Sequence, residues 1–345
     1  MNTVVEKFVG ASFRYAKELL RSSRLAKNLI ADRHNSGLFT NLRAHEVMLS
    51  DRVRVEAYRE GLRRNITPGS VVVDLGTGSG ILSLLAAAQR PRIIYAIDHS
   101  NFIEIARTIA GRNAGVPIEF VHANSRTFNP PEPVDFIVHE QLGTGLFDEN
   151  LLTNLLDLKA RILKPGGKIL PGRFDVFIEP AVLKPEYVVP HIADIQLEGI
   201  DLSFLRDVST LEPYRLADYH LNPHDARVAV SHFLGRAEPC FTVDLNAAGS
   251  IDLPSSVSVQ REVTESGPLD AYCMYFRAAF DEKTAFDTSP LSRYTHWGNW
   301  LFRADSRPCR VGGQLSYRVD IAPLTDARQW RVNTSGLESL DGSTD

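Results

Sequence analysis

A chain of 345 residues, 43% hydrophobic and 23% charged, has the material for two packed domains of a soluble globular protein. A net charge of −4 argues against a nucleic-acid binder, which carries a strongly basic face, and suits a basic peptide or arginine-like substrate. Three cysteines, Cys240, Cys273 and Cys309, are odd in number and too widely spaced for a metal pattern, so reduced thiols in a cytoplasmic protein are expected.

In chain order, residues 1–33 read as an amphipathic helix, with Val5, Phe8, Val9, Phe13, Leu19, Leu20 and Leu25 on one side and Lys7, Arg14, Lys17 and Arg21 elsewhere. Charges interrupt it throughout, which excludes a signal peptide, and no apolar run along the chain is long enough to span a bilayer. From 34 to 172 strands alternate with helices, the mark of a parallel α/β sheet. One helix is expected over about 46–64, with Met48, Asp51 and Arg54 on a single stripe at i, i+3 and i+6. Strands follow at 71–75, 93–97, 118–122 and 134–139, with helices at 81–89, 102–111 and 151–163. Lys164-Pro-Gly-Gly167 is a turn signal, and 168–171 a strand leaving the domain.

Residues 173–333 change character, with short alternating runs separated by Gly, Pro and Asp, and an antiparallel, barrel-like β domain is expected. Within it, 203–227 is polar and proline-punctuated, an excursion from the core. The Ser-, Gly- and Asp-rich stretch 334–345 reads as a disordered tail.

The turn Asp74-Leu-Gly-Thr-Gly-Ser-Gly80 follows a strand and opens a helix. Gly76, Gly78 and Gly80 let the backbone approach a ligand closely, and the helix N-terminus offers unpaired N–H groups. The spacing is neither that of dinucleotide folds nor that of a phosphate-binding loop. Asp98, at the end of the next strand, can accept both hydroxyls of a ribose. Together these favour S-adenosylmethionine, against NAD or a glycine turn kept only for strand–helix packing. Arg54 is the candidate cation for the cofactor's carboxylate, and Asn124 and Ser125 stand where contacts to the adenine edge are expected.

Glu140 and Glu149 bracket a short loop after the strand that starts at Val134. A carboxylate pair beside a cofactor turn suits a cation held before a reactive group, and the flat, permanently charged guanidinium is the best match. Read alone, Glu149 could equally be an acid at the start of the next helix. His296 beside Trp297 would, on the same footing, be a packed, hydrogen-bonded histidine. Scattered histidines without paired ligand spacing give no metal site.

These segments resemble the protein arginine methyltransferases over nearly all of 36–321. His45-Glu-Val-Met-Leu-Ser-Asp-Arg-Val-Arg54 is similar to the family's segment before the cofactor turn, and Val71 to Leu82 to its first motif. Asp98 takes the place of its ribose-binding acid, usually glutamate. His139-Glu-Gln-Leu-Gly-Thr-Gly-Leu-Phe-Asp-Glu149 resembles the double-E loop, and Ser289-Pro-Leu-Ser-Arg-Tyr-Thr-His-Trp297 the THW loop. The resemblance implies a Rossmann-like S-adenosylmethionine domain, a β-barrel, and a dimerisation arm at 203–227 that builds a head-to-tail homodimer. It implies methyl transfer to a guanidino nitrogen, with Glu140 and Glu149 as the clamp and Glu140 also near the cofactor. His296 becomes a general base or relay oriented by Asp51, and Met48 and Trp297 join the substrate site.

The family's Tyr-Phe-x-x-Tyr is replaced here by Asn35-Ser-Gly-Leu-Phe39, and the Trp and Met after its first loop glutamate by Gln141 and Leu142. The arginine channel is therefore altered, which keeps open the number of methyl groups added. It also keeps open an enzyme of free L-arginine or of a guanidino biosynthetic intermediate. A catalytically inactive dimeric scaffold is the third reading, and retention of Glu140, Glu149, His296 and Arg54 argues against it.

Overall fold

The computed structural model describes residues 42–113, 115–207, 223–248, 251, 253–304 and 306–338. The expected helix at 1–33, the Asn35–Phe39 segment and most of the expected arm lie outside these residues.

The first half is a five-stranded parallel sheet in the order β3-β2-β1-β4-β5. Its strands are β1 (Val71–Leu75), β2 (Ile93–Asp98), β3 (Ile118–His122), β4 (Val134–His139) and β5 (Leu163–Leu170). All five residues of β1 are buried, as a central strand covered on both faces requires. The connecting helices are α3 (Ile81–Ala87), α4 (Ile103–Asn113) and α5 (Leu151–Ile162). Strand order reverses at β1, which pairs with β2 on one side and β4 on the other, so a crevice opens beyond their carboxyl ends.

Two helices, α1 (Leu42–Ser50) and α2 (Arg52–Asn65), replace the single one expected over 46–64. Asp51 sits between them with φ −73° and ψ 91°, and its side chain accepts from the Arg54 N–H as an N-cap. A carboxylate that satisfies an orphan donor of the next helix competes well with helix continuation. Met48, Asp51 and Arg54 therefore do not share one helical stripe. The expected turn at 164–167 falls inside β5, but Val134 pairs with Leu163 and Phe136 with Lys168, so these residues bulge out of the ladder, with Gly166 at φ 79°.

The second half is antiparallel. Of its long strands β6 (Arg173–Leu183) and β11 (Ala271–Ala279), β11 pairs along its whole length with Arg173–Ala181 of β6. Helix α6 (Pro223–Ala229), β7 (Val230–Phe233), β8 (Phe241–Asp244), β9 (Ser256–Glu262) and β10 (Gly267–Pro268) come between them in the chain. After β11 follow β12 (Ala285–Asp287), β13 (Trp300–Arg303), β14 (Pro308–Cys309), β15 (Gln314–Asp320) and β16 (Arg331–Glu338). The sheet curls into a half-barrel, the antiparallel, barrel-like form expected. Strand β16 pairs with β15 as far as Glu338, so 334–338 is strand where the polar composition suggested tail.

One hydrophobic core runs through both halves, from Val72 and Ile137 in the parallel sheet to Met274, Phe276 and Trp330 in the curled one. At the seam Tyr58 of α2 meets Phe280 edge-on, with ring centroids 4.9 Å apart. Gly61 lies one turn along, so close that a Cβ there would stand 2.3 Å from the Phe280 ring. A bidentate ion pair between Arg261 and Glu179, at 2.8 and 2.9 Å and almost free of solvent, pins β9 to β6.

Candidate active site

The carboxyl ends of β1, β2 and β4 open into a cleft of about 1080 Å³, open solvent at its mouth included. Asp74 lies under its floor, fully buried, accepting hydrogen bonds from the hydroxyls of Thr77 at 2.7 Å and Ser83 at 2.6 Å. Burial pushes its pKa up to about 6 against the pull of those bonds. Asp74 thus braces the glycine turn from beneath and does not line the cleft, contrary to its expected contact with cofactor. Gly80 is likewise behind the wall, where a Cβ would meet Ala106 of α4 at 3.2 Å.

Gly76 and Gly78 do line the cleft, with φ 70° and 51°, a region that favours glycine. A Cβ on Gly78 would stand 2.9 Å from the His45 ring, which is stacked on Phe102 at 3.8 Å. The Gly78 N–H donates to Asp98 Oδ2 at 2.9 Å, and the Ser100 N–H to Asp98 Oδ1 at 2.8 Å. Asp98, Asn124 and Ser125 all face the same space. A backbone stripped of side chains, an acid at the end of β2 and a cation at the inner end together fit the adenosyl and amino-acid parts of S-adenosylmethionine.

That cation is Arg54. Its Nη2 donates to Glu140 Oε2 and its Nη1 to the Met48 carbonyl, both at 2.9 Å, while Nε is buried with no partner among the described residues. The Arg54 and Glu140 side chains are only 6% and 10% exposed, so the pair is poorly screened. Glu140 is fixed from behind as well. The Tyr58 hydroxyl donates to the carbonyl of His139 at 2.8 Å, and His139 Nε2 donates to the carbonyl of Pro171 at 2.8 Å. Burial holds His139 down to about 4, so its ring is neutral and stays a single-proton donor.

Glu149 enters from the other side, before Asn150 and the start of α5, and lines the same cleft as Glu140. Desolvation, with Glu140 and Asp148 adding like charge, pushes its pKa up to about 8. A helix-start acid should be held charged by the N-terminal dipole, whereas this carboxyl holds its proton. Among the described residues it has no counter-charge, and a cation placed between the two glutamates would supply one.

The loop carrying His296 closes the back of the site. His296 donates from its backbone N–H at 2.8 Å and from Nδ1 at 2.9 Å to Asp51 Oδ2. Burial works to raise the Asp51 pKa, but these bonds and the Arg54 N–H bring it below the ordinary value. Trp297 is buried, stacks on Phe286 at 5.2 Å, and donates from Nε1 to the Leu142 carbonyl at 2.5 Å. Of the residues expected in the site, Met48, Arg54, Gly76, Gly78, Asp98, Asn124, Ser125, Glu140 and Glu149 line one cavity. Asp51, Asp74, Gly80, His296 and Trp297 support it from outside. Sequence reasoning passed over His45, Thr77, Arg126 and Asn154 as lining residues. His45, one helical turn before Met48, carried a positional signal, whereas Arg126 and Asn154 carried none. No group of three or more metal-ligating side chains occurs among the described residues.

A family profile described as a methyltransferase domain matches residues 72–167. Protein arginine N-methyltransferase 6 of Danio rerio is 31% identical over 295 residues, covering 81% of this chain and 82% of that protein. The chain belongs to the protein arginine N-methyltransferase family. Protein arginine N-methyltransferase 1 of Caenorhabditis elegans is 28% identical over 90% of each chain. Among solved structures, the Trypanosoma brucei PRMT1 enzyme–prozyme heterotetrameric complex with AdoHcy shares the fold, at a TM-score of 0.72 and 23% identity over 86% of this chain and 95% of that one. Arabidopsis thaliana protein arginine methyltransferase 10 gives a TM-score of 0.66 and 22% identity, over 82% of this chain and 89% of that one.

Proposed function

We propose that this S-adenosylmethionine-dependent arginine N-methyltransferase acts on arginine side chains of proteins or peptides, with the guanidinium held between Glu140 and Glu149. One observation carries the reading: both carboxyl groups line the cavity that also holds Gly76, Gly78, Asp98 and Arg54. The bound S-adenosylmethionine supplies a methyl group on a positively charged sulfur, which leaves it to the attacking nitrogen without its bonding pair.

The protein's part is to make a guanidinium behave as a nucleophile. Glu140 is oriented by Arg54, whose Nη2 donates to Oε2. Glu149 gives up its proton as the cation arrives, and the pair then draws positive charge toward the nitrogens that do not react; as the N–C bond forms, the attacking nitrogen loses its proton to the freed Glu149 carboxylate. Arg54 also has Nε to offer to the cofactor's carboxylate, and Asp98 its carboxyl to the ribose. We read His296 as a positioning residue: its ring sets Asp51, Asp51 caps the helix that bears Arg54, and Arg54 sets Glu140.

We place the division between cofactor and substrate halves at 172–173, and propose a cytoplasmic homodimer. Free thiols at all three cysteines support the compartment. The dimer is supported by exposed apolar side chains at Ile192, Leu197, Ile200 and Phe204, on the stretch that leads into 208–222.

The test is to incubate the protein with labelled S-adenosylmethionine and either an arginine-rich peptide or free L-arginine. Transfer to the peptide is expected, with mass spectrometry giving the methylation pattern. Transfer to free arginine alone would move the substrate class. Full activity in Glu149→Gln would remove the clamp.

A further inference from the structure

The segment 288–296, which brings His296 to Asp51, lies between β12 and β13 and has no strand ladder of its own. Its carbonyls converge instead on one side chain. Arg227, on α6, is only 8% exposed. Its Nη1 donates to the carbonyl of Thr288 at 3.2 Å, and its Nη2 to those of Ser292 at 3.2 Å and Arg293 at 3.1 Å. The guanidinium also lies over the Tyr294 ring, 5.3 Å from its centroid. Among the described residues no carboxylate forms an ion pair with it. Asp287 and Asp51 act on it only at a distance; a buried cation without a direct ion pair is costly unless its donors are met, and here three carbonyls of one loop and an aromatic face meet them. Asn299 Nδ2 adds a second donor to the Thr288 carbonyl at 2.8 Å, so that end of the loop is held twice.

We propose that Arg227 is a positioning residue for methyl transfer. By gathering the carbonyls of Thr288, Ser292 and Arg293 it fixes the loop that seats His296 on Asp51, and through Asp51 the helix that carries Arg54 to Glu140. The inference rests on the roles proposed above for His296 and Glu140.

The test uses labelled S-adenosylmethionine and an arginine-rich peptide. Arg227→Met, close in length but without donors, should lower kcat about 10- to 100-fold, the scale of a small misplacement at a reacting centre. The Kd for S-adenosylmethionine should weaken by a smaller factor than kcat falls, since the same chain of contacts ends on Arg54, and Arg227→Lys should recover part of kcat. Combined with His296→Ala, the losses should not multiply, because both variants break one connection. Hydrogen exchange in 288–296 should rise in Arg227→Met and stay as it was in β1 and β4. Multiplicative losses, or unchanged exchange in the loop, overturn the proposal. If His296→Ala alone keeps full kcat, the role given to His296 fails, and the exchange result then decides on Arg227. Should Arg227→Met not fold, Arg227→Lys is read the same way, and wild-type kcat with unchanged loop exchange overturns the proposal.

Discussion

Glu149 holds a proton that its neighbours make hard to lose, and this has two measurable consequences. Guanidinium binding requires the charged form, so at pH 7 peptide binding should release close to one proton, and in Glu149→Gln none; calorimetry in buffers of different ionisation enthalpy reads this. The limb of kcat/KM should rise with pH up to about 8. Folding responds in the opposite sense. The carboxyl binds its proton more tightly in the folded protein than at its ordinary value of 4.5, so its contribution to stability is full below that value and declines as pH rises toward about 8. Glu149→Gln should therefore gain in Tm over the wild type as pH goes from 5 to 8, while activity drops about 100- to 1000-fold, as for loss of one preorganised charge-stabilising group. His139 behaves as a buried neutral base, with its folded pKa pushed below 6.5 to about 4. Its stabilisation is present above pH 6.5 and fades as pH falls toward 4, and thermal melts across that window would show it.

At the scale of elements, single hydrogen bonds from the curled sheet hold the loop of the parallel one. Trp297→Phe keeps the stack on Phe286 but loses the donor to the Leu142 carbonyl, leaving a buried acceptor without its partner. We expect a loss of about 1–3 kcal/mol in denaturant unfolding and a lower kcat with unchanged cofactor Kd. Arg261→Met strands Glu179 in the core beside β6, which should cost about 3–5 kcal/mol. Replacing both partners with apolar residues should restore much of that. The elements themselves were legible where pattern and burial agree. The Val71–Leu75 run, the glycine turn and the helix at 151–162 follow from apolar period and turn chemistry. The break at Asp51 was not, because an aspartate in a helical pattern caps or continues the helix according to which N–H it meets in space. Nor was the backing role of His296, whose partner is far away in the chain.

On the scale of the whole molecule, sequence could place Glu140 and Glu149 in one loop but could not say that their carboxyl groups share a cavity with Arg54. That depends on strand order, and on a core continuous across both halves. The proposed homodimer makes a separate prediction. Sedimentation should show two copies associated, and Phe204→Glu with Ile200→Glu should give monomers with reduced turnover. The helical glycine at 61 has a consequence of its own. The Phe280 ring occupies the place where any larger residue would put its first carbon, so even a methyl would act as a wedge. Gly61→Ala should therefore lower stability by about 1–3 kcal/mol in denaturant unfolding, because α2 and the Phe280 ring cannot both keep their places. A single atom's clearance thus sets how closely the cofactor half and the curled sheet can approach.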